Sequence, residues 1–418
     1  MDLEVVTIGT ELLLGFLVDT NAAWLGQALS ESGIRVTRRT SVPDDRAAIA
    51  EAVALGLRRT RFVITSGGLG PTSDDVTREA VAALFGLPLE FQPAIWEELQ
   101  ARFARIGRAL ADRNRCQAEV PRGAVVLPNP RGTAPGLWVS GEAGEVVMLP
   151  GVPRELSGLV TEEVVPRLRA RSGGRVVRSR VVRTTGIPES RLAERIAHLE
   201  PTLPPLTLAY LPGLEGVDLR LTAWDLPPDN ADRLLLDAAE KLQEVLGEHV
   251  YATGEGDLAA QLLDACRSRR LRLAVAESCT GGLIAARITA IPGSSDVFVG
   301  GMVTYADQVK EALGVPARIL EAHGAVSEET AAALAAAVRT RYRADLAVGV
   351  TGIAGPGGGS TEKPIGLVWF GVADGRGVET RRHVFPGSRH EVRARATQFA
   401  LWSLWRRALS SGSGPGSQ

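Results

Sequence analysis

The stretch Phe62-Val-Ile-Thr-Ser-Gly-Gly-Leu-Gly-Pro-Thr-Ser-Asp-Asp-Val-Thr77 contains an apolar run, a glycine-rich turn and the beginning of a helical pattern. The run at 62–65 predicts a buried strand, because it is short, apolar and bounded by turn residues. Strand and helix patterns alternate in the residues before it, at 5–8, 19–32, 34–40 and 46–59. This alternation predicts a parallel sheet that is covered by helices on both faces. In such a sheet, functional loops lie at the carboxyl ends of the strands.

Two further segments follow a basic, glycine-rich stretch at 166–175, which is typical of a linker. The smaller segment has the order β-α-β-β-α-β, and we expect it to act as a spacer or a dimer contact. The larger C-terminal segment is again α/β. The predicted fold class is therefore α/β, with two parallel-sheet-rich α/β domains joined by a small split α/β module. The predicted domains are 1–168, 174–253 and 256–409, followed by a disordered tail at 410–418 that is rich in serine and glycine.

The composition argues against several functional classes. The 418 residues carry a formal net charge of −1, so we expect no direct nucleic-acid partner. Cys116, Cys266 and Cys279 are odd in number and unclustered, which argues against a disulfide framework or a structural zinc site. No apolar run approaches the roughly 20 residues that a membrane helix needs, and the chain begins with a strand pattern rather than a signal sequence. We expect a cytoplasmic protein without membrane contact.

The glycine-rich turn after the 62–65 strand predicts a phosphate-binding site. Glycines let backbone amides approach an anion, and the N-terminus of the next helix favours negative charge. The candidate phosphate-binding residues are Gly67, Gly68, Gly70, Thr72 and Thr77. Carboxylates in this turn and after neighbouring strands are candidates to bind a divalent cation or to act as a base, namely Glu11, Asp19, Asp44, Asp74 and Asp75. The alternative is that the glycines only form a tight turn and that Asp74 caps the helix.

A second candidate site begins at Ala276-Glu-Ser-Cys-Thr-Gly-Gly282, which follows a predicted strand and opens a helix. Ser278 would be a nucleophile, with the amides of Thr280, Gly281 and Gly282 as oxyanion donors. Its base is expected among the residues that follow the next strand, and the candidates are Tyr305 and Lys310. Lysine is rare in this chain, with three among 47 basic residues. The histidines show no triad signature, so a Ser-Lys or Ser-Tyr-Lys arrangement is indicated.

The end of a third predicted strand, at 346–351, adds a flexible loop to this site, Thr351-Gly-Ile-Ala-Gly-Pro-Gly-Gly-Gly359. Close contact of this loop with a carbonyl or phosphate oxygen would use Gly352, Ala354 and Gly355. Substrate contacts are also expected from Lys363, Arg389 and Arg393, because the two arginines lie four residues apart on one helix face. The alternatives are that Ser278 caps a helix, Tyr305 belongs to the core, the loop is a linker and the arginines are solvated.

These motifs resemble two known domains. Gly67-Gly-Leu-Gly70 with Asp75 and Leu149-Pro-Gly-Val-Pro153 resembles the molybdopterin-binding fold. Gly9-Thr-Glu-Leu-Leu-Leu-Gly15 and Asn129-Pro-Arg-Gly-Thr-Ala-Pro-Gly136 narrow the resemblance to the competence/damage-inducible CinA family. The C-terminal motifs resemble the nicotinamide-nucleotide amidase domain of CinA-type proteins. One departure is Ala306-Asp307, where members of that family carry Ser-Asn, and we expect it to affect the turn but none of the chemical groups.

The resemblance implies two hydrolytic activities and a homodimer. The C-terminal domain would deamidate nicotinamide mononucleotide to nicotinate mononucleotide and ammonia without a cofactor. The first domain would hydrolyse ADP-ribose to AMP and ribose 5-phosphate with a divalent metal such as Mg²⁺, Mn²⁺ or Co²⁺. We expect Ser278 to attack the carboxamide while Lys310 or Tyr305 takes its proton. Two alternatives stay open: the first domain only binds a pterin or nucleotide, or the protein is an interaction partner in competence or repair.

Overall fold

The computed structural model describes residues 1–105, 107–171 and 175–410. The predicted tail at 410–418 lies outside these residues except for Ser410, which ends the last helix. The chain divides into two compact units. One unit comprises Met1–Arg178 and Ala223–Leu234, and the other comprises Ser179–Thr222 and the described residues from Leu235 onward.

The first domain contains a mixed sheet that is covered by helices on both faces. Its elements, in chain order, are β1 (Asp2–Ile8), α1 (Thr10–Leu13), α2 (Thr20–Glu31), β2 (Arg35–Val42), α3 (Arg46–Thr60), β3 (Phe62–Ser66), α4 (Thr77–Leu84), β4 (Leu89–Phe91), α5 (Pro93–Arg105), β5 (Glu119–Pro121), β6 (Val125–Leu127), β7 (Gly136–Gly141), β8 (Gly144–Leu149), α6 (Pro153–Leu159) and α7 (Val165–Arg169). The strand order is β2-β1-β3-β8-β7-β6. The first four strands of this order run parallel to one another, as predicted. Strand β7 runs antiparallel to β8, and β6 runs antiparallel to β7.

The position of β3 in this sheet explains why its sequence is apolar throughout. All five of its residues are buried, because β3 lies between β1 and β8 and is covered on both faces. One core packs Ile64 against Leu25 and Leu156, from α2 and α6, and the other packs Val63 against Val53 of α3. The glycine-rich turn therefore starts from a rigid central strand.

The small module has the predicted order β-α-β-β-α-β. Its elements are β9 (Val176–Thr184), α8 (Glu189–Ile196), β10 (Leu206–Pro212), β11 (Val217–Leu226), α9 (Pro228–Leu246) and β12 (Val250–Thr253). They form a four-stranded sheet with the order β10-β11-β9-β12. The division between the two compact units runs through β11 and α9.

The C-terminal domain is a second mixed α/β sheet. Its elements are α10 (Leu258–Arg269), β13 (Leu273–Glu277), α11 (Leu283–Thr289), β14 (Phe298–Val303), α12 (Asp307–Leu313), α13 (Ala317–His323), α14 (Glu328–Tyr342), β15 (Leu346–Gly352), β16 (Leu367–Asp374), β17 (Gly377–Val384) and α15 (Arg389–Ser410). The strand order is β14-β13-β15-β16-β17, and the first three strands are parallel. The carboxyl ends of β13, β14 and β15 consequently meet at one edge of the sheet, as the sequence predicted. Within the described residues, no helix is both long enough and apolar enough to cross a membrane.

Candidate active sites

Ser278 directly follows the carboxyl end of β13, which lies between β14 and β15. Its backbone N–H donates to the carbonyl of Val350 on β15, at 2.9 Å. On the other side, the N–H of Thr304, directly after β14, donates to the carbonyl of Glu277 at 2.7 Å. The Ser278 residue is 8% exposed. Both neighbouring strands therefore fix the backbone on which the proposed nucleophile sits.

Two arginines at the start of α15 join the three strand ends. Arg389 donates to the carbonyl of Gly355 at 2.7 Å and to the hydroxyl of Tyr305 at 2.8 Å. Arg393 donates to the carbonyl of Thr280 at 2.9 Å. The structure thus brings together residues that the sequence placed in four separate segments. Each guanidinium carries five N–H donors, so both retain donors for a ligand.

Lys310 is fully buried, and its ammonium group has two oxygen partners. It donates to Asp307 Oδ1 at 3.0 Å and to the Tyr305 carbonyl at 3.2 Å. The expectation that Ala306-Asp307 touches none of the chemical groups is therefore wrong, because the Asp307 carboxylate forms an ion pair with this amine. Among the described residues, neither Lys310 Nζ nor the Tyr305 hydroxyl hydrogen-bonds to Ser278 Oγ. The geometry without substrate does not select one of them as the base.

Glu277 is a buried residue of this site that sequence reasoning missed. Its carboxylate accepts hydrogen bonds from the amides of Gly282, Ile284 and Ala285, at 2.8–3.1 Å. The amide of Gly281 is also engaged, because it donates to the Ser278 carbonyl. Gly281 and Gly282 are therefore not free to stabilise an oxyanion, contrary to the prediction. The signal in the sequence was an acidic residue directly before a turn that opens a helix.

The loop after β15 lies at the same edge of the sheet as Ser278, as the sequence predicted. Gly352 pairs with Val368 in the sheet, so it belongs to the strand rather than to the loop. Within the described chain, the amides of Ala354 and Gly355 have no hydrogen-bond partner, which leaves them available as oxyanion donors. Lys363 donates to the carbonyl of His323 at 2.8 Å and thereby holds the far end of the loop.

In the first domain, the residues of the glycine-rich turn have divided roles. The amide of Gly67 donates to the Leu149 carbonyl, and the buried hydroxyl of Thr77 donates to the Gly67 carbonyl. The amide of Thr72 donates to Asp75 Oδ2 at 2.8 Å, and the Thr72 hydroxyl donates to the same oxygen. Gly67, Thr72 and Thr77 therefore support the turn by these groups. Gly68 and Gly70 keep amides that can face a phosphate.

The five candidate carboxylates do not form one cluster. Asp44 accepts from the amide and hydroxyl of Thr10, at 2.8 and 3.0 Å, and Asp19 caps α2 by accepting from Ala22. Glu11 and Asp74 are exposed. In the part of the chain that the structure describes, no three His, Cys, Asp or Glu side chains lie together where they could hold a metal ion. Asp19 and Asp75 instead accept hydrogen bonds within their own helix end or turn, and Asp44 accepts from Thr10 after β1.

Sequence reasoning also missed the carboxylate of Glu155, near the start of α6. Burial raises the pKa of Glu155, and a hydrogen bond from Asn129 Nδ2 at 2.6 Å partly opposes that shift. Gly132 leaves room for this carboxylate, because a Cβ there would lie 1.8 Å from it and the Glu155 side chain would have to move. The loop 129–136 is therefore built around this carboxylate.

Comparison with known proteins identifies the family of this chain. Family models match residues 4–170 (probable molybdopterin binding domain), 179–252 (damage-inducible protein CinA KH domain) and 255–408 (CinA C-terminal domain). A CinA-like protein of Gemmatimonas aurantiaca is 49% identical, over 99% of this chain and 98% of its own length. The chain belongs to the CinA family. A putative competence-damage inducible protein of Moorella thermoacetica is 45% identical over 97% of this chain and 98% of its own.

A solved CinA-family structure covers part of the chain. The competence/damage inducible protein of Agrobacterium tumefaciens is 43% identical, over 37% of this chain and 93% of its own length, with a TM-score of 0.35. The order of the three matched CinA domains is that of the three segments recognised in the sequence.

Proposed function

We propose that the C-terminal domain deamidates nicotinamide mononucleotide to nicotinate mononucleotide and ammonia. The observation that carries this proposal is that Ser278, Tyr305 and the loop after β15 lie at one edge of the sheet. Arg389 joins Tyr305 to the loop, and Arg393 contacts the turn that follows Ser278. A nucleophile, donors for an oxyanion and cations for a 5′-phosphate are what hydrolysis of a nucleotide carboxamide requires.

The reaction would proceed through an acyl-enzyme. Ser278 Oγ attacks the carboxamide carbon, and its proton passes to Lys310 as the neutral amine or to Tyr305 as the phenolate. The amides of Ala354 and Gly355 stabilise the negative oxygen of the tetrahedral intermediate. Ammonia leaves with a proton from the same base, and water then releases nicotinate mononucleotide and regenerates the serine. Arg389 and Arg393 would hold the phosphate.

Replacement of the proposed nucleophile tests this reaction. Ser278→Ala should reduce ammonia release from nicotinamide mononucleotide by about 10⁴-fold or more, because the covalent path is lost. The matched control is Ser294→Ala, since Ser294 is equally buried but precedes β14, at the opposite edge of the sheet. Ammonia release that persists in the Ser278 variant and not in a mock preparation would refute the assignment.

We also propose that the first domain binds and hydrolyses ADP-ribose to AMP and ribose 5-phosphate. Gly68 and Gly70 offer amides to the diphosphate, and Asp44 and Asp75 each use only one carboxylate oxygen in their hydrogen bonds with Thr10 and Thr72. This donor set fits a cation that is held by one or two carboxylates and mostly by the ligand's own phosphates, as Mg²⁺ commonly is. Such an ion would neutralise diphosphate charge when bound.

The N-terminal proposal is tested by AMP production. Asp44→Asn and Asp75→Asn should each lower the rate by about 10²-fold or more if these carboxylates act at the site, whereas Asp112→Asn at the exposed start of the 112–118 turn should not. The assay is run with Mg²⁺, Mn²⁺ or Co²⁺ and with chelator. If ADP-ribose binds but no AMP forms under any condition, the domain is a binding module.

A further inference from the structure

Arg78, the second residue of α4, is a buried cation directly behind the glycine-rich turn. It is 3% exposed, and its guanidinium donates to the carbonyls of Leu69 at 2.7 Å and Gly70 at 3.4 Å. Within the described residues it forms no ion pair, and its buried Nε has no hydrogen-bond partner. A buried charge without a counter-charge is costly. The backbone carbonyls of the turn are therefore the groups that hold this guanidinium.

Thr77 completes the same arrangement from the first position of α4. Its hydroxyl donates to the Gly67 carbonyl at 3.0 Å, and its amide donates to the Gly68 carbonyl at 3.2 Å. Together with Arg78, it draws four consecutive carbonyls, those of residues 67–70, toward the helix.

This orientation determines where the amides of the turn point. In a trans peptide the C=O and N–H bonds point in opposite directions, and the peptides of this turn are trans. The amides of Gly68, Leu69 and Gly70 therefore face away from α4. Successive amides that point to one side form a concave anion-binding nest. Side chains are excluded behind it, since a Cβ at Gly68 would lie 2.1 Å from Thr77 Oγ1.

We propose that Arg78 is a positioning residue for an anion site on the amides of residues 68–70, whose ligand is a phosphate or diphosphate group. Its contact with the carbonyls of Leu69 and Gly70 holds the turn so that the amide of Gly70 faces outward. Arg78 does not touch the ligand. The ligand class rests on the nucleotide-diphosphate function proposed above, but binding is measurable without turnover.

The test is isothermal titration of the full-length protein with inorganic pyrophosphate and with ADP-ribose, in chelator so that a metal-dependent reaction is blocked. Arg78→Lys keeps the charge but not the hydrogen bonds to both carbonyls, and it should weaken binding about tenfold. Arg78→Met removes both and should weaken it about a hundredfold. The salt dependence of Kd should be shallower in the Met variant only. The control is Arg122→Met, which removes an exposed arginine paired with Glu90.

The outcomes separate this inference from the proposed hydrolysis. Weaker pyrophosphate binding in Arg78→Lys supports the inference even if no AMP is ever produced. Pyrophosphate binding of wild-type strength in Arg78→Lys, or no binding to the wild-type protein, overturns it. If the Met variant does not fold, as judged by near-UV circular dichroism, the Lys variant alone decides.

Discussion

At the scale of single residues, the two sites depend on side chains that hold backbone in place. Glu277 and Arg78 are both nearly inaccessible, and both bind backbone groups of a glycine-containing turn. Glu277 accepts from amides and so occupies the helix N-terminus beside Ser278. Arg78 donates to carbonyls and so turns amides outward. Both turns contain adjacent glycines, but the amides of Gly281 and Gly282 are engaged, whereas those of Gly68 and Gly70 have no hydrogen-bond partner among the described residues.

Glu277→Gln should impair the proposed amidase by misplacing Ser278. The substitution keeps the volume but puts an NH₂ group against backbone N–H groups, which cannot both be satisfied. Because small misplacements of a reacting group are costly, we expect kcat for ammonia release to fall about 10- to 100-fold with KM little changed. Steady-state kinetics measure this, with Glu311→Gln, at an exposed position of α12, as the control. Wild-type kcat in the Glu277 variant would show that the carboxylate is dispensable.

At the scale of secondary-structure elements, the apolar strands that precede the sites were predictable from the sequence. The exposed edge strand and the positions of the acidic side chains were not. The patterns for β3, β13 and β15 were apolar because each strand is covered on both faces, so their ends and the loops after them were placed correctly. The edge strand β17 was missed, because most of its residues are exposed and it lacks an apolar pattern. The carboxylates of the first domain were misplaced as one cluster, because a single sequence does not show which acids cap their own turns.

The hairpin of β16 and β17 is joined to α15 by a buried acid. Asp374 accepts hydrogen bonds from Arg407 at 2.7 Å and from Arg376 at 2.9 Å. Burial alone would raise the pKa of Asp374, but the hydrogen bonds from Arg407 and Arg376 outweigh it and hold the pKa well below its usual range. Its charged form is therefore more stable in the folded state than in the unfolded state.

This depressed pKa predicts an acid-dependent loss of stability. The stabilising contribution is complete above the unfolded pKa of about 4 and is lost as pH falls below that value. Asp374→Asn should lower the free energy of unfolding by about 3 kcal/mol at pH 7, because it removes the buried charge that holds both Arg376 and the partly buried Arg407. It should also flatten the pH dependence below pH 4. Urea titrations at several pH values measure both effects, with Asp264→Asn, an exposed partner of Arg267, as the control. Equal pH slopes in variant and wild type would contradict the prediction.

At the scale of the whole molecule, the small module and the C-terminal domain are joined through Trp402 of α15. Its ring stacks on His249 with centroids 5.7 Å apart, and its Nε1 donates to the Glu248 carbonyl at 3.0 Å. Arg406 lies over the same ring and pairs with Glu248. Gly186 gives the ring room, because a Cβ there would lie 2.8 Å from it. The module thus packs on α15 by a buried aromatic contact, more than a spacer requires.

Trp402→Ala should uncouple this contact. Removal of a buried tryptophan typically costs about 3–5 kcal/mol, and here the lost surface joins parts of the chain that are distant in sequence. We expect urea unfolding of the variant, followed by far-UV circular dichroism, to separate into two transitions where the wild-type contact gives one. Trp402→Phe keeps an aromatic ring against His249 but loses the hydrogen bond to Glu248, so it should cost only about 1 kcal/mol and preserve the single transition. One unshifted transition in the Ala variant would mean that other contacts, such as the ion pair of Arg287 with Glu215, suffice to hold the module in place.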